Sequence, residues 1–384
     1  MGDASFISRG GCTMALMLQV SNSDVAARGR ISRRSLLGIA GVVGAGAPFA
    51  LMEGAGALTL FGAPLAEPFG DAPICRTAAT GESAGGPPRR LTLAWNATSI
   101  CTMAAPVAKE RGVFARHNLD VDFINYGGST EQLLEAIATG KADAGIGMAL
   151  RWLKPIEQGF DVRITAGVHG GCIRLLGSKS AKIETLESTR GRAIGISDQA
   201  SPAKNFVSIA LMKKGIDPIK DVEWRQYPVE VLPLAIDKGE VDAIADNDPR
   251  TYLWLKRGNL NEVVNNLAGE FAERTCCLLA VRGSLVREER TVAAALTRSI
   301  LEAGDLISRN PTDAAAVYAG YGGRGSLDDL AAMLQSHTHH NHPVGAALKK
   351  QISAYTEELK LVHVIKPGVD SARFAERIFA DVLT

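Results

Sequence analysis

The sequence predicts an α/β fold made of two similar lobes with a ligand held between them. The first observation is a pair of matching stretches, Gly140-Lys141-Ala142-Asp143-Ala144 and Gly239-Glu240-Val241-Asp242-Ala243, whose aspartates lie 99 residues apart. Each follows an amphipathic helical pattern and runs into a short apolar segment. Gly therefore ends a helix at the left-handed cap, and the Asp leads into a buried strand. The second observation is the order upstream of each copy: a strand, a helix, a long helix stopped by Gly, and a second strand. The third is length, since 384 residues exceed one ordinary core and favour two domains.

Composition narrows the function. A 46% hydrophobic and 22% charged chain is that of a globular protein. A net charge of +1 gives no electrostatic basis for nucleic-acid binding. Six cysteines without a CxxC pair are too few for a disulfide scaffold of this size. No Ser-His-Asp arrangement, P-loop or HExxH motif points to hydrolysis or nucleotide use, and no cofactor is expected.

Residues 1–66 read as an export signal. Ser32-Arg33-Arg34-Ser35-Leu36-Leu37 resembles the twin-arginine motif, and a mildly apolar run with Ala45-Gly46-Ala47 and Ala55-Gly56-Ala57 sites follows. Its Gly and Ala content is too mild for a good membrane span, so cleavage is expected over retention as an anchor. Residues 67–90, rich in Pro, Gly, Ala and Thr, form a flexible linker.

The folded part starts near Leu91 with the strand Leu91–Trp95, stopped by Asn96. Thr98 or Ser99 caps the helix that ends near Gly112. Asp120–Ile124 alternates as a strand. Tyr126-Gly127-Gly128-Ser129-Thr130 then opens a helix whose first turn offers free backbone N–H groups to an anion or carbonyl; a capped helix after a Gly turn is the alternative. Strands are expected at Arg163–Val168, Ile173–Gly177, Gly191–Ile196 and Val222–Tyr227. Ser201 at N-cap and Pro202 at N1 start a helix to Lys214. Thr275–Val281 is an apolar strand. Helices follow at Val292–Ser308, Thr312–Tyr318, Leu327–Gln335, Ala346–Leu359 and Ser371–Leu383, with Ser326 and Asp329 as a cap pair.

Arg111-Gly112-Val113-Phe114, Asn118-Leu119-Asp120-Val121, the Gly127-Gly128-Ser129-Thr130 turn, Ala138-Thr139-Gly140-Lys141-Ala142-Asp143-Ala144-Gly145 and Thr185–Gly195 occur in an order and spacing that resembles the periplasmic substrate-binding proteins of ABC importers. The resembling branch is the nitrate/sulfonate/taurine one, which includes pyrimidine-precursor proteins, and the likeness covers roughly Leu91 to the C-terminus. It implies a type II two-lobe periplasmic binding fold with two crossover strands and a helical C-terminal part. Lobe I would hold 91–172 and 277–384, and lobe II 173–276. It further implies a non-enzymatic, monomeric receptor in the periplasm that passes a small organic or anionic solute to an inner-membrane permease. Two alternatives remain: an enzyme like the pyrimidine-precursor synthases, and a periplasmic metal-handling protein.

The resemblance places ligand contacts at Asn96, Thr98, Gly127, Gly128, Ser129, Thr130 and Met148 in the first lobe, and at Ser197, Ser201 and Asp246 in the second, with His169 at a crossing. Asp198 and Asp246 would repel a small anion such as nitrate. Cys172 and Cys276-Cys277 fall at the two crossings, which run side by side in this architecture. Buried free thiols, a Cys172–Cys276 or Cys172–Cys277 disulfide, and a soft-metal site with His169 are the three readings. His337, His339, His340 and His342 are dense enough to bind Zn, Ni or Cu, against a structural role at the end of the preceding helix.

Overall fold

The structure, a computed structural model, describes residues 86–127 and 130–384. The expected export signal and nearly all of the expected linker lie outside the described residues, as do Gly128 and Ser129. Ten strands form two five-stranded sheets. The first has the order β2-β1-β3-β10-β4, from β1 (Arg89–Trp95), β2 (Leu119–Asn125), β3 (Ala144–Met148), β4 (Val162–His169) and β10 (Cys277–Arg282). The second has the order β7-β6-β8-β5-β9, from β5 (Ile173–Ser178), β6 (Ala193–Ile196), β7 (Glu223–Gln226), β8 (Ala243–Asn247) and β9 (Leu260–Asn265).

The two orders are the same pattern used twice. In each sheet four strands run in one direction, and the fourth place is filled by an antiparallel strand that has crossed over: β10 in the first and β5 in the second. The first crossing is the short link His169–Ile173, and the return runs from Asn265 to Cys277.

The paired Gly-x-x-Asp-Ala stretches do identical work. Gly140 (φ 77°) and Gly239 (φ 71°) end their helices in the left-handed region, where a Cβ would be strained. Asp143 Oδ2 accepts from Thr92 N–H at 2.9 Å, and Asp242 Oδ2 accepts from Ala193 N–H at 3.0 Å. Each carboxylate so satisfies the neighbouring strand's first inward N–H and fixes where β3 and β8 enter their sheets. Ser201 caps its helix through Lys204 N–H at 3.1 Å, and Ser326 caps the helix Leu327–Ser336 through Asp329 N–H at 3.1 Å.

Two expectations shift. The last helix stops at Ile378 rather than Leu383. Phe379 turns extended and pairs with Ile164, and Ala380 N–H donates to Ile164 O at 2.9 Å, because the outer side of edge strand β4 offers unpaired backbone groups. The polar strand β9 was not anticipated; it pairs along β5 and covers that sheet's edge. Among the described residues no helix is long and apolar enough to cross a membrane.

Candidate functional site

The parallel strands of both sheets point their C-terminal ends toward one cleft, the usual ligand position in open α/β sheets. A cavity of about 90 Å³ lies there. From the first sheet it is lined by Asn96, Ser99, Cys101 and Thr102 after β1, by Met148 at the end of β3, and by Arg151 one turn later. From the second it is lined by Ser197 and Asp198 after β6, Ser201 at the helix start, and Asp246, Asn247 and Arg250 after β8. A wider recess of about 560 Å³ adjoins it, sharing Ser197, Asp198 and Arg250 and adding Thr98, Gly127, Trp254 and Arg324.

Five of the expected contacts, Asn96, Met148, Ser197, Ser201 and Asp246, thus meet around one cavity. Thr98 and Gly127 stand at its mouth. Gly128 and Ser129, and the side chain of Thr130, lie outside what is described. His169 is fully buried away from the cavity wall.

Two arginines, neither foreseen, set the electrostatics. Arg151 lies on the helix Ala149–Glu157. It pairs with Glu131, and its Nη1 lies 3.2 Å from Asp198 Oδ2 across the cleft. That Nη1 is buried, and its ion pair with Asp198 is not a well-directed hydrogen bond. Arg250 holds Asp246 through Nε and Nη2, the latter at 3.0 Å, and also donates to Asn247 Oδ1 at 3.2 Å. Burial would lower the Arg250 pKa, but the charge of Asp246 outweighs it and raises it. The carboxylates expected to repel an anion are therefore both paired, and the repulsion argument fails on this geometry.

The lining is otherwise neutral and short. Asn96 Nδ2 donates to Ser99 Oγ at 3.1 Å, and its Oδ1 accepts from Thr98 N–H at 2.9 Å. Asn247 Nδ2 reaches Ser99 Oγ at 3.5 Å from the other sheet. Asn205 Nδ2 donates to Leu150 O at 2.9 Å, a second tie between the halves.

Beneath the cavity the crossings bring cysteines and histidines together. Cys277 opens β10 and stands in register with Met148 on one side and His169 on the other. The four described cysteines, Cys101, Cys172, Cys276 and Cys277, are buried free thiols, with the sulfurs of Cys172 and Cys276 3.9 Å apart. Of the histidine run, His337 and His339 approach one another, their ring centres 5.8 Å apart, while His340 and His342 face elsewhere. His340 is exposed, while His342 Nδ1 takes Val168 O at 3.0 Å and His337 Nε2 takes Asp248 Oδ2 at 3.0 Å. His337 and His339 instead turn inward, their ring centres 5.9 and 5.0 Å from that of His169. Gly170 permits this approach, because a Cβ there would lie 1.7 Å from Thr338 Oγ1.

Asp248 is the buried strut below the site. Arg174 donates to both its oxygens at 3.2 and 3.1 Å, and Thr251 and the Tyr252 N–H add to Oδ1. Burial alone would raise its pKa, but His337 and Arg174 outweigh it and bring the carboxyl down to about 2.

The NMT1-like family model matches residues 84–320. No curated protein matches the chain in sequence. Among solved structures, the alkanesulfonate-binding protein SsuA from Xanthomonas axonopodis pv. citri, bound to MOPS, is similar at a TM-score of 0.64 and 17% identity, over 77% of this chain and 99% of its own. The periplasmic aliphatic sulphonate binding protein SsuA from Escherichia coli gives 0.64 and 17%, over 76% and 97%. The periplasmic nitrate-binding protein NrtA from Synechocystis PCC 6803 gives 0.64 and 12%, over 77% and 87%. At these identities the likeness is one of fold: two α/β lobes about a cleft.

Proposed function

The chain belongs to the NMT1-like family, and from that premise we propose that it is a non-enzymatic receptor that closes two lobes over a small organic or anionic solute and hands it to an ABC permease. The lobes divide at the crossings, 91–172 with 277–384 against 173–276. Three similar structures are named for sulfonate or nitrate binding, which supports a solute with an anionic head. Export by the twin-arginine signal to the periplasm, as a monomer, completes the reading.

The observation that carries it is Arg151 at a polar cavity shared by both lobes, its buried Nη1 ion-paired with Asp198 but without a well-directed hydrogen bond. A buried charged donor without a directed partner favours a ligand that accepts from it. Asn96, Ser197, Ser201 and Asn247 supply neutral donors and acceptors around it. A volume of about 90 Å³ has room for a small head group, since about 10–15 Å³ of such space already holds a water. The adjoining recess takes an organic tail.

Thermal-shift screening of the exported protein with sulfonates, nitrate, carboxylates and pyrimidines tests this. A ligand at 100 times its Kd stabilises by about 2.7 kcal/mol. The best ligand should carry an accepting anionic group and lose its effect in Arg151→Ala. A tight ligand whose shift survives that substitution would remove the Arg151 assignment.

A further inference from the structure

We propose that Cys101, His169 and Cys277 form a buried site for a zinc-class divalent cation at the floor of the ligand cleft. The three donor atoms lie within 4.8 Å of one another, and all three residues are buried. They come from separate elements: the short turn Ile100–Thr102 after β1, the end of β4 and the start of β10. Nothing local in the chain brings them together; the crossing topology does, by setting Cys277 in register with His169.

The second observation is what His169 lacks. Both its ring nitrogens are buried and without a hydrogen-bond partner of ordinary geometry. A neutral imidazole buried with neither its donor nor its acceptor used costs a few kcal/mol, and a metal bond would answer the acceptor. His339 stands next to it in the same state, with both nitrogens buried and unpartnered and a ring centre 5.0 Å away.

Charge selects the ion. Two thiolates and one imidazole carry −2, which a divalent cation cancels, and a fully buried site tolerates no residual charge cheaply. Sulfur and imidazole donors together suit zinc over magnesium or calcium. Bonds of about 2.0–2.3 Å to a tetrahedral ion put donors roughly 3.5 Å apart, so the cluster closes by about an ångström on binding. Cys101 also lines the cleft cavity, which gives the ion a route in. The pair Cys172 and Cys276 remains outside this set.

The test uses the full chain, reduced, stripped with a chelator and titrated with Zn²⁺ and with Co²⁺ as a spectroscopic stand-in. One equivalent should bind, and the Co²⁺ form should show sulfur-to-metal charge transfer with tetrahedral ligand-field bands. Cys101→Ser, Cys277→Ser and His169→Gln should each weaken binding by more than the roughly 100-fold that loss of an outer-shell partner costs, while His340→Ala leaves it unchanged. If the serine variants do not fold, the wild-type protein still decides: zinc should block alkylation of Cys101 and Cys277, read by mass spectrometry. Absence of stoichiometric binding, a Co²⁺ spectrum without charge transfer, or loss of binding in His340→Ala overturns the site.

Discussion

Arg151 Nη1 lies 3.2 Å from Asp198 Oδ2, and the two residues come from opposite sides of the cleft. The pair closes over the cavity like a clasp, with Asp198 half exposed. A partly exposed ion pair contributes about 1 kcal/mol or less, so Asp198→Ala should change solute binding by no more than about five-fold. Arg151→Ala removes the clasp and the cavity-lining donor together. Charged hydrogen bonds contribute about 1.5–3 kcal/mol, so its loss should reach roughly 100-fold. Calorimetric titration of both variants checks the order; a larger effect from Asp198→Ala would mean that the arginine does not face the solute.

Asp246 and Arg250 lead to the opposite sign. Asp246→Asn leaves the partly buried Arg250 guanidinium unneutralised beside the cavity. Breaking a buried pair costs on the order of 3 kcal/mol, so the empty protein should melt lower. The freed positive charge should then tighten an anionic solute and restore much of the loss when bound. Melting curves with and without ligand measure both effects. A neutral or cationic solute would bind no better to Asp246→Asn, and that outcome would argue against an anionic head group.

Acid sensitivity should come in two windows. His339 and His342 have folded pKa values pushed below the ordinary 6.5, chiefly by burial. Their contribution is present above the unfolded value and fades as pH falls below 6.5, since protons then favour the unfolded chain. Asp248 has its carboxyl lowered from 3.8 to about 2, so its contribution, about 2 kcal/mol, is intact above 3.8 and disappears as pH drops through 2. Melting temperature against pH should therefore show a first decline starting near 6.5, reduced in His339→Gln. Asp248→Asn should cost several kcal/mol even at neutral pH, because Arg174 loses a buried partner. A flat profile from pH 7 to 5 would mean that neither imidazole is held neutral by the fold.

The two-lobe plan was legible because its signals are local. Gly140 and Gly239 must sit at left-handed caps, and the apolar runs after them leave few places for β3 and β8. The helix starts at Ser201 and Ser326 were legible for the same reason. Asn96, Met148, Ser197, Ser201 and Asp246 came from the family resemblance, and the structure sets them around one cavity at strand-to-helix turns. Arg151 was missed because Pro155 disguises the helix that carries it. Arg250 was hidden by Pro249, although its four-residue spacing from Asp246 was there to see. Cys101 gave no signal at all, since its partners His169 and Cys277 lie 68 and 176 residues away in sequence and only the crossing topology joins them.

Glu358 is the last point at which charge and architecture meet. It accepts from Arg274 Nη1 and Nη2 at 2.8 and 2.7 Å and from Lys213 Nζ at 2.7 Å. Arg274 in turn lies over the Tyr355 ring, 4.0 Å from its centre. The carboxylate so joins three elements around the return crossing: the end of the helix Pro202–Lys213, the segment before β10, and the helix Gly345–Leu361. Burial opposes its ionisation, but Arg274 and Lys213 more than offset it and lower its pKa. Glu358→Gln keeps the shape and removes the charge, leaving two cations with weaker acceptors. Hydrogen bonds to charged groups contribute about 1.5–3 kcal/mol, so the variant should lose about 2 kcal/mol in chemical denaturation. Combined with Arg274→Met, the double variant should lose less than the sum of the single ones, because the bidentate pair is then absent from both. Strict additivity would show that the two side chains do not act as a unit.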